Sequence, residues 1–265
     1  MIGFIGVGNM GGTLARAAIR AVGAENVLVS SRTLEKAQRF AADTGCTAVM
    51  NTETAARAQI LFLGVKPQGM RSMLAEIAPV LQARSDRFVL VSMAAGLSLQ
   101  QITDFSGGAY PILRIMPNTP AAVGEGMIPY CANELASSED AAELCRILQP
   151  AGRLDPLPEH LIDAAGALSG CGPAFVYVFL EALADAAVAC GMPRDKAIQY
   201  AAQTALGSAK LVLQTGTHPA ALKDAVCSPA GSTIRGVHAL EAGGFRAAAE
   251  NAVLAAYERS MELGK

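Results

Sequence analysis

The feature that most constrains this chain lies at its start. Met1-Ile2-Gly3-Phe4-Ile5 is a short apolar run of the kind that forms a buried strand. Gly6-Val7-Gly8-Asn9-Met10-Gly11 follows it at once, and from Asn9 to Val22 apolar residues recur at helical spacing. A bare G-x-G-x-x-G is weak evidence, because glycines also collect in ordinary turns. Between a buried strand and a helix it becomes a strand-turn-helix unit whose helix N-terminus faces a pyrophosphate. Gly6 then permits the tight turn, Gly8 lets backbone approach the phosphates, and Gly11 lets helix and strand pack closely.

About 20 residues beyond the glycines, a unit that binds NAD offers a carboxylate to the ribose hydroxyls. This chain has Ser30-Ser31-Arg32-Thr33 there. A carboxylate would repel a 2′-phosphate, whereas Arg32 pairs with it and Ser31 donates to it. The expected cofactor is therefore NADPH, with NADH weaker. The plainer alternative makes Arg32 a solvated residue ahead of a helix that Thr33 caps.

The rest of the first half alternates short apolar runs with helical stretches, the pattern of a Rossmann-like, doubly wound parallel sheet in an α/β protein. Strands are expected at Ile2–Ile5, Val27–Ser30, 47–49, 60–65, 88–92 and Ile112–Ile115. Helices begin near Asn9, Thr33, Thr52, Arg71, Ser98 and, after an irregular stretch, Ser137. From about Glu159 strand signals vanish, and helices are expected at 161–190, Arg194–Thr215, 219–226 and 229–263, the last broken at Gly243-Gly244. The change of period predicts a dinucleotide-binding domain over 1–158 and an all-α domain over 159–265. Gly170-Cys171-Gly172-Pro173 predicts a kink or a tight packing point.

Ligands of open sheets lie beyond the carboxyl ends of the strands. Gly64, Val65, Lys66 and Pro67 end the fourth strand, and Ala94, Ala95 and Gly96 follow the fifth. Small residues and proline keep that rim low and fixed. Lys66 reads equally well as a ribose or phosphate contact and as a surface lysine. Asn51 reads as an N-cap or as a contact to the adenosine end.

Charge and composition narrow the partners. With 21 Lys+Arg against 23 Asp+Glu there is no basic block suited to nucleic acid or an anionic membrane. A hydrophobic content of 52% with 17% charged residues is high, but no unbroken apolar run reaches the roughly 20 residues of a spanning helix. The surplus is expected between subunits. The six cysteines show neither zinc spacing nor a disulfide framework, so no metal is expected and a reducing cytoplasm is. No N-terminal targeting segment is expected, since the glycine turn follows the first strand directly.

Near the C-terminus, Ser228-Pro229-Ala230-Gly231-Ser232-Thr233-Ile234 reads as a helix start, with Ser228 as N-cap and Pro229 as first helical residue. Free amides around Gly231, Ser232 and Thr233 would hold a carboxylate, although an ordinary capped helix has the same sequence features.

These motifs together resemble the pyrroline-5-carboxylate reductase family, over essentially the whole chain. Phe4-Ile5-Gly6-Val7-Gly8-Asn9-Met10 is similar to its opening. Val65-Lys66-Pro67-Gln68, Arg114-Ile115-Met116-Pro117-Asn118-Thr119-Pro120 and Leu168-Ser169-Gly170-Cys171-Gly172-Pro173-Ala174 are similar to its internal motifs. The most specific likeness is residues 228–234 with His238-Ala239-Leu240-Glu241. Cys171 and Cys227 stand where small hydroxyl residues are usual in the family, Ala230 where glycine is common, and Ser232 where threonine or alanine occurs.

The resemblance implies hydride transfer from NADPH to a cyclic C=N bond, giving proline. It implies a substrate carboxylate at Gly231, Ser232 and Thr233, the Thr233 hydroxyl near the ring nitrogen as the catalytic contact, and Glu159 near the substrate amine. Asn51, 64–67 and 94–96 then line the NADPH site. It also implies a homodimer with intertwined helical domains, the dimers assembling further. An alternative, a 3-hydroxyacid dehydrogenase, usually needs a lysine base early in its second domain, and residues 154–195 contain no lysine. His160, His218 and His238 read as capping or packing residues rather than bases.

Overall fold

Four-residue apolar runs build the centre of a sheet. In the computed structural model, which describes residues 1–263, β1 (Ile2–Ile5), β2 (Val27–Ser30), β4 (Ile60–Leu63), β5 (Val89–Ser92) and β6 (Ile112–Ile115) are buried along their whole length. Burial on both faces is what parallel strands covered by helices require. With β3 (Thr47–Ala48) at one edge, they pair in parallel in the order β3-β2-β1-β4-β5-β6. The order reverses between β1 and β4, so the crevice beyond those two strand ends is the switch point where ligands of such sheets bind.

The alternation of side chains supplies two cores, one per face. Phe4 and Phe62, opposite in register, stack at 4.3 Å and pack with Leu14 and Leu113 on one face. Ile5, Leu61 and Leu63 meet Met70, Leu74 and Ile77 on the other. Each such side chain removed from water contributes about 1.5–3 kcal/mol before entropy is counted. The covering helices are α1 (Asn9–Val22), α2 (Leu34–Thr44), α3 (Asn51–Arg57), α4 (Pro67–Ala83), α5 (Leu99–Ser106) and α6 (Ser138–Leu148).

The sheet extends further than the sequence reading expects. β7 (Gly126–Ala132) pairs antiparallel to β6, and β8 (Gly152–Pro156) pairs parallel to β7. Both hide from pattern reading, β7 because Pro129 argues against an inner strand and β8 because Arg153 and Asp155 dilute its apolar content. Helix α4 begins at Pro67 instead of Arg71, with Lys66 at its N-cap and Pro67 at N1.

The helical run comprises α7 (Glu159–Ala165), a π-helical turn (Gly166–Gly170), α8 (Gly172–Ala189), α9 (Arg194–Thr215), α10 (Pro219–Ala225), α11 (Ser232–Ala242) and α12 (Phe245–Leu263). The π turn runs into the Gly-Cys-Gly-Pro stretch, ending at its first residue, Gly170, and is closed by the Cys171 amide donating to the Gly166 carbonyl at 3.2 Å. Close packing falls on Gly166, where a Cβ would lie 3.1 Å from Met116, whereas Cβ atoms at Gly170 and Gly172 would meet nothing within 4 Å.

Two compact units emerge, Met1–Cys171 with the chain end from Ala256, and Gly172–Ala255. Residues 264–265, the end of the expected helical domain, lie outside the described residues. In the second unit Phe179 packs on Phe245 with centroids 5.6 Å apart, yet Val178 is 68% and Leu213 74% exposed. Within Glu159–Ala189 an 18-residue stretch reaches a mean hydropathy of 1.5, long and apolar enough to cross a membrane by length and composition alone. Asp163, Glu181 and Asp185 interrupt the span, so the expectation that no unbroken apolar run reaches about 20 residues stands beside this average.

Candidate dinucleotide site and substrate loop

Three glycines make the floor of the switch-point crevice. Gly6 has φ +104°, and its amide donates to the Ser30 carbonyl at 2.9 Å, tying the turn to the end of β2. A Cβ on Gly6 would lie 2.5 Å from the Gly64 carbonyl oxygen, and one on Gly11 would run into the Gly6 carbonyl. Gly8 differs, because a Cβ there would meet nothing within 4 Å. It is the N-cap of α1 in extended conformation, with no side-chain cap and no acidic residue in the first turn. The first amides of a 14-residue helix thus point at open space, an arrangement that favours an anion.

That space is a cleft of about 1110 Å³, lined by Gly6, Gly8, Asn9, Met10 and Gly11 at its floor and by Ser31 and Arg32 at the end of β2. Asn51, Gly64, Val65 and Lys66 complete the expected residues on its wall. Val7 lies beneath the turn, 5% exposed and packed in the core. Pro67 is the first residue of α4. Ala94 is buried, Ala95 and Gly96 form the turn after β5, and Met93 beside them lines the cleft.

Sequence reading missed Lys36, in the first turn of α2, which lines the same cleft as Arg32. Neither cation makes an ion pair among the described residues. Its place in the first turn of a helix that starts just after Arg32 was the available signal. Thr33 is the N-cap of α2 but makes no side-chain cap bond. Asn51 is the first residue of α3, with Met50 as N-cap. Its Nδ2 donates to Glu76 Oε2 at 3.0 Å, while its Oδ1 is buried without a partner.

On β6, Arg114 is 2% exposed and faces two carboxylates of α7. Its guanidinium donates to Asp163 at 2.5 Å and approaches Glu159 at 3.6 Å. Glu159 Oε1 also accepts from the Leu99 amide at 2.6 Å. Burial, reinforced by the Glu159 charge, pushes the neighbouring Cys131 thiol up to about 11. Asn118 donates to the Ser169 carbonyl at 2.9 Å and accepts from the Met127 amide at 3.0 Å, so it pins the π turn to β7.

In the second unit the loop before α11 departs from expectation. The helix starts at Ser232, with Gly231 as N-cap, rather than at Pro229 after Ser228. Ala230 adopts φ +58°, which interrupts the helical path, and the Gly231 amide closes the turn onto the Ser228 carbonyl at 3.0 Å. No side-chain cap and no acid occupies the first turn of α11, so the amides at Ser232 and Thr233 remain open, and both residues are exposed. His218 caps α10, its Nδ1 accepting from the Ala220 amide at 3.2 Å.

A glycine turn at a sheet switch point, with Arg32 after β2 and Lys36 on α2 both free of ion pairs among the described residues, marks a dinucleotide-binding oxidoreductase. Residues 1–96 match the NADP oxidoreductase, coenzyme F420-dependent, family, and residues 159–263 match the pyrroline-5-carboxylate reductase dimerisation family. The chain is 43% identical to pyrroline-5-carboxylate reductase 3 of Rattus norvegicus, covering 100% of this chain and 96% of that protein. It is 42% identical to pyrroline-5-carboxylate reductase of Escherichia coli K12, covering 100% and 98%. A crystal structure of Plasmodium falciparum pyrroline carboxylate reductase with NADP bound superposes with a TM-score of 0.88 at 34% identity, covering 100% of this chain and 98% of that one. The chain belongs to the pyrroline-5-carboxylate reductase family.

Proposed function

We propose that this protein reduces 1-pyrroline-5-carboxylate to L-proline with NADPH, NADH serving less well. The observation that carries the reading is the combination of full-length family membership with a switch-point cleft lined by two cations, Arg32 and Lys36, that make no ion pair among the described residues. The open amides at Gly8 to Gly11 fit a pyrophosphate, and Ser31, Arg32 and Lys36 fit a 2′-phosphate. Bound NADPH would supply a hydride to the C=N carbon while the ring nitrogen takes a proton. Asn51, Gly64, Val65, Lys66 and Pro67 border the dinucleotide, and Ala94, Ala95 and Gly96 its nicotinamide end.

A protonated imine is already electrophilic, so the protein has to orient it and exclude water rather than supply a strong base. The amides of Gly231, Ser232 and Thr233 bind the substrate carboxylate, and the Thr233 hydroxyl holds the ring nitrogen. Residues 1–158 serve the cofactor and 159–265 serve substrate and association. The exposed apolar faces of α8 and α9 support a homodimer with intertwined helical domains, itself assembling further, so a second copy rather than lipid covers them. Six free thiols suit a reducing cytoplasm. Thermal unfolding tests the reading: proline added with NADP should raise Tm beyond NADP alone, by mass action, and no further rise with proline would contradict it.

A further inference from the structure

We propose that Glu159 is a positioning residue for hydride transfer: held by Arg114, its carboxylate fixes the first turn of α5 and, through it, the loop that follows β5. The proposal rests on the reading above that the nicotinamide end of NADPH borders that loop.

Residues 93–98 connect the end of β5 to the start of α5. One end is tied locally, since Ser92 pairs in register with Arg114 and the Ala94 amide approaches Ser92 Oγ at 3.4 Å. The other end is a helix N-terminus whose donors need partners. Ser98 and Gln101 form a reciprocal capping box, the Gln101 amide donating to Ser98 Oγ and the Ser98 amide to Gln101 Oε1. The Leu99 amide is left over, and Glu159 takes it from 60 residues away. A carboxylate there also complements the positive end of the helix.

Glu159 and Asp163 both lie on α7, and two carboxylates facing one another repel. Arg114 relieves this from below, buried in the sheet and directed at both. One guanidinium thus joins β6, the N-terminus of α7 and, through Glu159, the N-terminus of α5. Gly96, with φ +73°, bends the loop between its two anchors. With its far anchor lost, a six-residue loop swings as a lid edge would, and hydride transfer is sensitive to displacements of about 1 Å. The Oε1 atom of Glu159 is committed to this task, which argues against the direct contact with the substrate amine that family resemblance implies.

Two variants separate the roles. Glu159→Gln keeps an acceptor for the Leu99 amide and loses the charge, whereas Glu159→Ala loses both. Amide hydrogen exchange across 93–101 in the cofactor-free protein should rise in Glu159→Ala and stay near wild type in Glu159→Gln. In parallel, kcat with the cyclic imine should fall about ten- to hundredfold in Glu159→Ala, with KM for the imine and Kd for adenosine 2′,5′-bisphosphate little changed. Unchanged exchange in Glu159→Ala overturns the proposal. So does a loss confined to KM for the imine and shared by Glu159→Gln, which would mark a direct charge contact with substrate. If wild type does not reduce the imine, the functional reading fails, while exchange still decides whether Glu159 holds the loop.

Discussion

Gly6 and Gly64 meet backbone to backbone at the ends of β1 and β4: a Cβ on Gly6 would stand 2.5 Å from the Gly64 carbonyl oxygen, and one on Gly64 the same distance from the Gly6 carbonyl oxygen. Between those two strand ends the crevice floor is therefore main chain. Gly64→Ala should force the two strand ends apart, costing about 1–3 kcal/mol of stability and distorting the turn that presents the α1 amides. Calorimetry and NADPH titration read the two effects, and an unaltered Kd would mean that the floor is not shared with the cofactor.

Arg32 and Lys36 line the cleft, and the proposed 2′-phosphate site gives them the choice of cofactor. Arg32→Asp removes charge-assisted bonds worth about 1.5–3 kcal/mol, so Kd for NADPH should rise by about ten- to hundredfold while NADH binding changes little. Lys36→Ala should act in the same direction and more weakly, because a lysine meets phosphate as a point charge. Equal losses with both cofactors in either variant would contradict the 2′-phosphate assignment.

Thr233 stands one residue into α11 with its hydroxyl exposed. Thr233→Ala should leave NADPH binding intact and lower turnover by about tenfold, the value of one hydrogen bond that matters in the transition state. Steady-state kinetics beside a fluorescence titration of NADPH separates these. Unchanged kinetics would remove Thr233 from the mechanism.

Ala230 holds a left-handed backbone at φ +58°, a conformation that costs an L-residue about 1–2 kcal/mol. Ala230→Gly should relieve much of that strain, less glycine's greater unfolding entropy. A Tm higher by about 2–4 °C is expected, and a lower Tm would mean that the loop relies on the alanine methyl.

Cys131 adds a pH dependence of stability. Its thiol is raised from 9.0 to about 11, chiefly by burial and then by the Glu159 carboxylate. The folded state holds this proton more tightly than the unfolded one, so the contribution is complete below pH 9.0 and disappears as pH climbs through about 11. The fall in Tm between those values should be shallower in Cys131→Ala than in wild type. Identical slopes would assign the alkaline loss to other groups.

How far the sequence carried each of these features follows from where its information is local. The glycine turn, the parallel strands and the helix starts near Ser98 and Ser137 depend on neighbours within a few residues, and they were readable. The start of α11 was not, because Pro229 signals a helix while the backbone at Ala230 turns away from one. Strands β7 and β8 escaped because their place is set by pairing, β7 with β6 and β8 with β7, not by their own composition. Lys36 and Glu76 enter the cleft from helix surfaces, where a charged residue ordinarily means solvent. The union of Arg114, Glu159, Asp163 and Leu99 joins positions up to 64 residues apart, and only the folded sheet brings β6 beneath α7.

Absorbance at the NADPH band tests the central claim most directly. Purified protein would be mixed with NADPH and 1-pyrroline-5-carboxylate, beside a linear keto acid and a matched NADH run. Rapid oxidation with the cyclic imine alone, faster with NADPH than with NADH, is the predicted result. No turnover with the imine, despite measurable NADPH binding, would contradict it.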